Sequence, residues 1–353
     1  MKKIMMSLFI LTASISGFTQ DKEGAEDLVN DGIILHDRGD YAGAIKIYDK
    51  ALLLDKNNYF AMAEKALTLY TMGSYAKAIE FCKEIVIIHS EEKELWNVYC
   101  NWGNSLDALG KSEESIEVYE EGIVHFPDSY LLYFNEGIAY TTLKKYDEAL
   151  PLFQKAVMAN PSHAGSHNAI GRLLYGENRI PSLMAFLRFF AIEPEGSRAV
   201  GNIELVRQMT TSNVSQKGNV TTITIDIFAL PDTTEDGTVL PDDFATVDFM
   251  LSLNTALVYN KENKKKKEAE RFAMLLDNLC LSLKAGQEKN SGFYWNYYVP
   301  YFIEMQEKEF TEVFSYLVFA SSGEKYVKKW FEVNRGLTQQ FFKWSDNYEW
   351  YKG

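Results

Sequence analysis

His163 and His167 stand four residues apart, the spacing at which a helix turns two imidazoles to one side and lets them share a metal. The pair lacks an intervening catalytic Glu and an evident third ligand, and His163 follows Pro161 too closely for regular helix. No metal is expected there. The other histidines are His36, His89 and His125. None follows position 167, so a serine or cysteine nucleophile in the C-terminal half would need its base from elsewhere in the chain. There is no glycine-rich phosphate loop and no serine flanked by glycines in a nucleophile elbow. Asp242-Asp243 falls in a polar loop and reads as solvated. Lys264–Lys267 opens a helical pattern after a polar linker and reads as a solvated face. These residues predict neither an enzyme nor a cofactor.

Aromatic residues supply the remaining chemistry, which is non-covalent. Between Phe293 and Tyr351, 20 of 59 residues are aromatic. Rings can stack on sugars, anchor a protein interface or fill a core. The core is the favoured expectation. The glycan reading would rest on Trp295 and Trp350.

The elements that position these residues follow from a repeat. A small residue recurs as Gly32, Ala66, Gly103, Gly137 and Gly171, at intervals of 34, 37, 34 and 34. Twelve residues on come Ala44, Ala78, Ser115 and Ala149, with Ser182 one place early. Four further on come Tyr48, Cys82, Tyr119, Phe153 and Phe186. Such a period marks helical hairpins that bury their apolar faces on their neighbours. The small residues sit where the two helices cross, and the aromatic fills the wedge behind. Gly39, Gly73 and Gly110, then Lys144 and Asn178, hold the turns, where a left-handed backbone is wanted. The three extra residues between the second and third hairpins fall at Glu91 to Glu94.

On Gly137, Tyr140, Tyr146, Ala149, Phe153, Ala156 and Pro161, this region resembles tetratricopeptide repeats. The resemblance implies five units at 25–58, 59–92, 96–129, 130–163 and 164–195, wound into a right-handed superhelix. It also implies a concave groove lined by the first helix of each unit. Carried onto this chain, the groove presents Val29, Ile33 and His36, then Phe60, Ala63, Leu67 and Tyr70. Asn97, Cys100, Asn104 and Asp107 follow, then Leu131, Phe134, Ile138 and Thr141, and finally Asn168, Arg172 and Tyr175. Val29 and Ile33 cannot clamp a terminal carboxylate, so the chaperone-binding subtype is excluded. An apolar peptide or helix suits this lining, read by pockets and a few amides. The C-terminal half could also cover these residues, because large exposed apolar patches are uncommon.

Composition limits the partners. The chain has 353 residues, 46% of them hydrophobic, and a net charge of −13. Residues 21–194 hold 16 basic and 27 acidic side chains, a balance of −11. An acidic array repels phosphate backbones and anionic lipid, so nucleic acid is excluded and a protein or peptide is expected. The first twenty residues begin with Lys2 and Lys3, continue with an apolar run of about ten residues and offer Ser14-Ile15-Ser16 for cleavage. That pattern predicts a signal peptide over 1–20 and an exported protein, periplasmic or secreted, with no membrane span. Phe186 to Gly196 (FLRFFAIEPEG), with this signal, resembles secreted repeat proteins of Bacteroidetes-type bacteria. Export permits disulfides. Cys82, Cys100 and Cys280 are odd in number, so at least one thiol stays free, and a Cys82–Cys100 pair is conceivable.

Periodicity stops after Pro194. Ser197 to Met209 reads as a capping helix with Val200, Ile203 and Val206 inward. Val220 to Phe228 (VTTITIDIF) alternates and reads as a strand. Its partner is either a stretch near Thr211 to Val214 or a second chain, which would make a homo-oligomer. A capping helix and strand over 197–230 and an aromatic-rich helical domain over 231–353 complete the expected organisation. Helical patterns run over Phe244–Tyr259 and Lys264–Ala285, and Pro300 starts another. The expected fold is all-α, a solenoid followed by a helix-rich domain with one short β segment. The expected function is a non-enzymatic interaction scaffold.

Overall fold

The computed structural model describes residues 22–211, 214–217, 220–223, 240–260 and 262–352. The expected signal peptide lies outside them. The chain divides into two compact units at Leu152 and Phe153. That point lies inside the second helix of the fourth hairpin, α8 (Tyr146–Ala159), beside Pro151, whose missing N–H interrupts the helical ladder. The expected boundary after Gly196 falls within the second unit.

The first unit is a stack of antiparallel hairpins. Its helices are α1 (22–37), α2 (Tyr41–Leu54), α3 (Tyr59–Thr71), α4 (Tyr75–Ile88), α5 (Trp96–Ala108), α6 (Ser112–His125) and α7 (Tyr130–Thr142). From α2 onward each packs on the next, and α5 also packs on α3 and α7. That is the layered order that the 34-residue period predicts. The small crossing residues have the expected purpose. A Cβ at Gly32 would overlap the Tyr48 ring, and one at Gly103 would overlap the Tyr119 ring. Both rings are fully buried. The first and third hairpins are thus each closed by an aromatic ring seated in a glycine notch. The turns are left-handed at Gly39, Gly73 and Gly110, with φ of 81°, 75° and 74°. Lys144 takes the same geometry at φ 61° without the freedom glycine has. Side-chain caps start two helices: Asp40 Oδ1 accepts from Gly43 N, and Asn58 Oδ1 accepts from Ala61 N.

In the second unit, α9 (Ala164–Leu174) and α10 (Arg179–Ile192) form the last hairpin. There Phe186 lies 3.0 Å from where a Cβ on Gly171 would stand. The left-handed residue of this hairpin is Gly176, φ 95°, and not Asn178, which caps α10 at φ −124°. α10 is mostly apolar around its circumference and is buried from Ile180 to Ala191, as such a helix must be. It packs on α9, α11 (Ser197–Thr211), α12 (Ala245–Val258) and α16 (Thr311–Val318). Ile203 and Val206 of α11 are buried as expected, but Val200 is 57% exposed. A long amphipathic helix, α13 (Glu268–Gly286), buries Ala269, Phe272, Leu276, Leu279 and Leu283. The four lysines precede it, partly in a 3-10 turn over Glu262–Lys265, and do not form its first turn.

Val214–Lys217 (β1) pairs antiparallel with Val220–Ile223 (β2), Val214 opposite Ile223. The partner of β2 is therefore its own chain. Residues 224–228 of the expected strand lie outside the described residues, and Thr211 belongs to α11. The remaining helices are α14 (Phe293–Tyr297), α15 (Val299–Glu307, with Pro300 in its first turn), α17 (Lys325–Val333) and α18 (Arg335–Asp346). Asp242 is not the solvated residue its loop suggested. Its carboxylate accepts from the N–H groups of Phe293 (2.8 Å) and Tyr294 (2.7 Å) at the start of α14. Burial raises its pKa, while those bonds pull the other way.

Cys82, Cys100 and Cys280 are all free and buried, so the conceivable Cys82–Cys100 bridge does not form. Burial pushes the thiols of Cys82 and Cys100 up to about 12.

Candidate partner-binding surface

The first unit places its groove residues on α1, α3, α5 and α7. Phe60, Ala63, Leu67 and Tyr70 recur at three and four residues along α3 and so share one stripe. Phe60 is 55% exposed and Ile138 of α7 is 37% exposed, while Ile33, Leu67, Tyr70, Leu131, Phe134 and Thr141 are half-buried. Val29, Ala63 and Cys100 are buried and present no surface. Phe60 also opens onto a cleft it shares with Ile88, at the edge of the stack.

Polar groups on this stripe are partly engaged. Tyr59 OH donates to Asn97 Oδ1 at 3.0 Å, and Tyr119 OH donates to Asn104 Oδ1 at 2.7 Å. These bonds orient both amides and direct the Nδ2 donors of Asn97 and Asn104 away from the phenols. His36 Nδ1 meets Thr68 Oγ1 at 2.7 Å. Asp107 Oδ1 accepts from Ser112 Oγ at 2.5 Å. Burial lifts the Glu64 carboxyl above its ordinary value; His36 opposes that shift and Asp37 adds to it. The surface is apolar with fixed amides, which can hold a side chain and a backbone but offers no acid–base pair.

In the second unit, three expected groove residues are bonded to α11. Arg172 Nη2 donates to Asn202 Oδ1 (2.9 Å), and Asn202 Nδ2 donates to Asn168 Oδ1 (2.8 Å). Tyr175 OH donates to Gln208 Oε1 (2.5 Å). Arg172 stays exposed, but its guanidinium is steered by its own chain. Asn202 and Gln208 gave no sequence signal, because polar residues on a helix read as solvated.

The histidine pair serves the core. Pro161 O can only accept, so His167 Nε2 donates to it at 2.9 Å, and Nδ1 then accepts from Tyr298 OH at 2.7 Å. Burial, with Arg188 adding, holds the His167 pKa well below 6.5. His163 is shifted the same way. Among the described residues, no group of three or more His, Cys, Asp or Glu could hold a metal. The neutral His167 has a pH consequence. Below about pH 6.5 the unfolded imidazole takes a proton that the folded one refuses, so stability falls as pH drops. The slope from His167 approaches about 1.4 kcal/mol per pH unit. Urea titrations between pH 7.5 and 5.5 should show this loss, and His167→Gln should flatten it. An unchanged slope in that variant would contradict the assignment.

The aromatic C-terminal region is mostly core. Trp295 is 2% exposed and lies flat on Phe244 with centroids 4.3 Å apart. Its Nε1 donates to Asp243 O at 3.0 Å. Trp350 packs on Tyr297 and Tyr301. Trp295 offers no open face for the glycan reading, and Trp350 is half-buried against those rings, because large rings gain most by burial. Arg188 lies at the centre, 2% exposed, a residue the sequence reading passed over. Its guanidinium sits 5.1 Å from the Tyr301 ring and 4.8 Å from the Trp350 ring. Nη1 donates to Ser345 Oγ at 2.8 Å, and Nε has no partner. No carboxylate pairs with it among the described residues.

Comparisons with known proteins give the fold a family context. Residues 32–92 and 100–179 match the tetratricopeptide repeat family model. The chain is 29% identical over 132 residues to a TPR repeat-containing protein of Methanocaldococcus jannaschii, covering 37% of this chain and 22% of that protein. It is 27% identical over 120 residues to small glutamine-rich tetratricopeptide repeat-containing protein 2 of Mycosarcoma maydis, covering 34% and 33%. The chain thus spans no more than a third of the length of these curated relatives. Among solved structures, Pseudomonas aeruginosa pilF is similar at 21% identity and a TM-score of 0.47, covering 55% of this chain and 90% of that one. YrrB, described as a TPR protein with an unusual peptide-binding site, is similar at 20% identity and a TM-score of 0.38, covering 54% and 97%.

Proposed function

We propose that this chain, whose residues 32–92 and 100–179 match the tetratricopeptide repeat family model, is a non-enzymatic scaffold that binds a partner peptide or helix along the first helices of its repeats. The observation that carries this reading is the part-exposed apolar stripe of α3 and α7, Leu67, Tyr70, Phe134 and Ile138, beside the oriented amides of α5. Such a stripe matches groove recognition of an amphipathic segment, in which pockets take apolar anchors and amides hold the backbone. The basic and apolar pattern of the first twenty residues supports a place outside the cytoplasm, periplasmic or secreted.

Leu67→Glu with Phe134→Glu tests the groove. Two buried or half-buried carboxylates facing an apolar ligand should weaken capture of partners from a cell-envelope extract at least about a hundredfold. Helicity by circular dichroism should stay at the wild-type level. Undiminished capture by the double variant would reject the groove.

A further inference from the structure

The loop from α4 to α5 is three residues longer than a 34-residue period requires, and the added residues fall within Glu91-Glu92-Lys93-Glu94. Insertions in repeat arrays often mark a binding face. Here the inserted loop borders a cleft of about 460 Å³ whose apolar walls are Tyr59, Phe60 and Ile88. Ile88 is 39% exposed, next to the more exposed Phe60. All three glutamates are exposed, and no ion pair engages them among the described residues. The Tyr59 phenol feels two of them: burial raises its pKa first, and Glu94 and Glu92 add to the rise. His89 Nε2, shut off from water beside the cleft, has no hydrogen-bond partner. Beyond Lys93 a second cleft, of about 420 Å³, opens against Trp96, Phe126 and Pro127. The edge thus combines apolar notches with unpaired negative charge.

We propose that this edge docks a basic segment of a partner protein, with one apolar side chain between Phe60 and Ile88 and flanking Lys or Arg side chains against Glu91, Glu92 and Glu94. Charge complementarity selects that occupant. A neutral apolar segment would leave three carboxylates facing it unpaired, and an acidic one would be repelled. The site shares Phe60 with the groove stripe, and its other determinants, the end of α4 and the inserted loop, are not groove residues.

The test uses the full chain and a fluorescein-labelled peptide of sequence Lys-Lys-Phe-Lys-Lys, followed by fluorescence anisotropy at low salt. Glu91→Gln, Glu92→Gln and Glu94→Gln together should weaken binding at least about tenfold, and Ile88→Ser should weaken it as well. All four positions are exposed, so the variants should keep wild-type helicity. Glu113→Gln, Glu117→Gln and Glu120→Gln on α6 remove the same charge elsewhere and should cost less than about threefold. Leu67→Glu with Phe134→Glu should leave this binding in place, which separates it from the groove. Equal losses in the two glutamine triples, or equal binding of Lys-Lys-Ser-Lys-Lys, would reduce the effect to general attraction and overturn the site. A dimer in sedimentation that the loop triple abolishes would also overturn the proposal, by making the exposed lysines at 264–267 of a second copy the occupant.

Discussion

Replacing Gly103 by alanine should loosen the third hairpin by a net ~2 kcal/mol, seen as lower protection of α5 and α6 in hydrogen exchange and as an earlier urea transition. Two effects oppose each other. Alanine favours helix over glycine by about 1 kcal/mol. Against that, its Cβ falls inside the Tyr119 ring. That ring is 1% exposed and tied to Asn104 by its hydroxyl, so it has no free space to enter. Overpacking of this kind costs about 3 kcal/mol. Gly201→Ala is the matched control. It lies within α11, and the nearest atom to its added Cβ is Arg172 Nη2 at 3.9 Å. There only the helix preference remains, and stability should rise by about 0.5–1 kcal/mol. A harmless Gly103→Ala would show that the Tyr119 ring can shift, and the notch would lose its role.

Arg188 gives the second large effect, and two substitutions should diverge. Arg188→Ala removes a wholly buried side chain from between two rings and leaves Ser345 and a cavity behind. A loss of about 3–5 kcal/mol is expected. Arg188→Met keeps most of the volume and removes a cation that no carboxylate neutralises among the described residues. Replacing buried charge by a well-packed apolar chain is often neutral or stabilising, so this variant should stay within about 1 kcal/mol of wild type or exceed it. Hydrogen exchange at α10 and α15 reads both in the second unit alone. If methionine costs as much as alanine, the bonds to Ser345, Tyr301 and Pro161, and not the packing, hold this core together.

The hairpins were legible because their constraint is local and repeated. Gly103 must be small for the same reason as Gly32, and Tyr119 must be a ring for the same reason as Tyr48. A single chain therefore states the rule several times. α13 was legible because one face had to be apolar over its whole length. Features set by distant neighbours were not. Val200 fits the helical period yet faces water, since α11 turns another side inward. Asn202 looked solvated and instead joins Asn168 and Arg172. Arg188 carries a charge, and charge reads as surface until three elements converge on it. The turn of the fifth hairpin was misplaced by two residues because Asn178 and Gly176 both tolerate the left-handed region. Only the cap at α10 decides between them. The candidate groove was legible as a row of positions, but its openness depends on side chains that the period does not fix.

The three sequestered sulfurs bear on how this molecule meets oxidants. With the thiol at 82 or 100 protonated at any physiological pH and out of contact with solvent, the folded chain offers no nucleophile for mixed-disulfide formation. The odd tally that could cross-link a protein in an oxidising compartment is therefore harmless while the packing holds. Covalent dimers would report molecules that have opened, at 82 and 100 in the first unit or at 280 in the second, and not a native assembly.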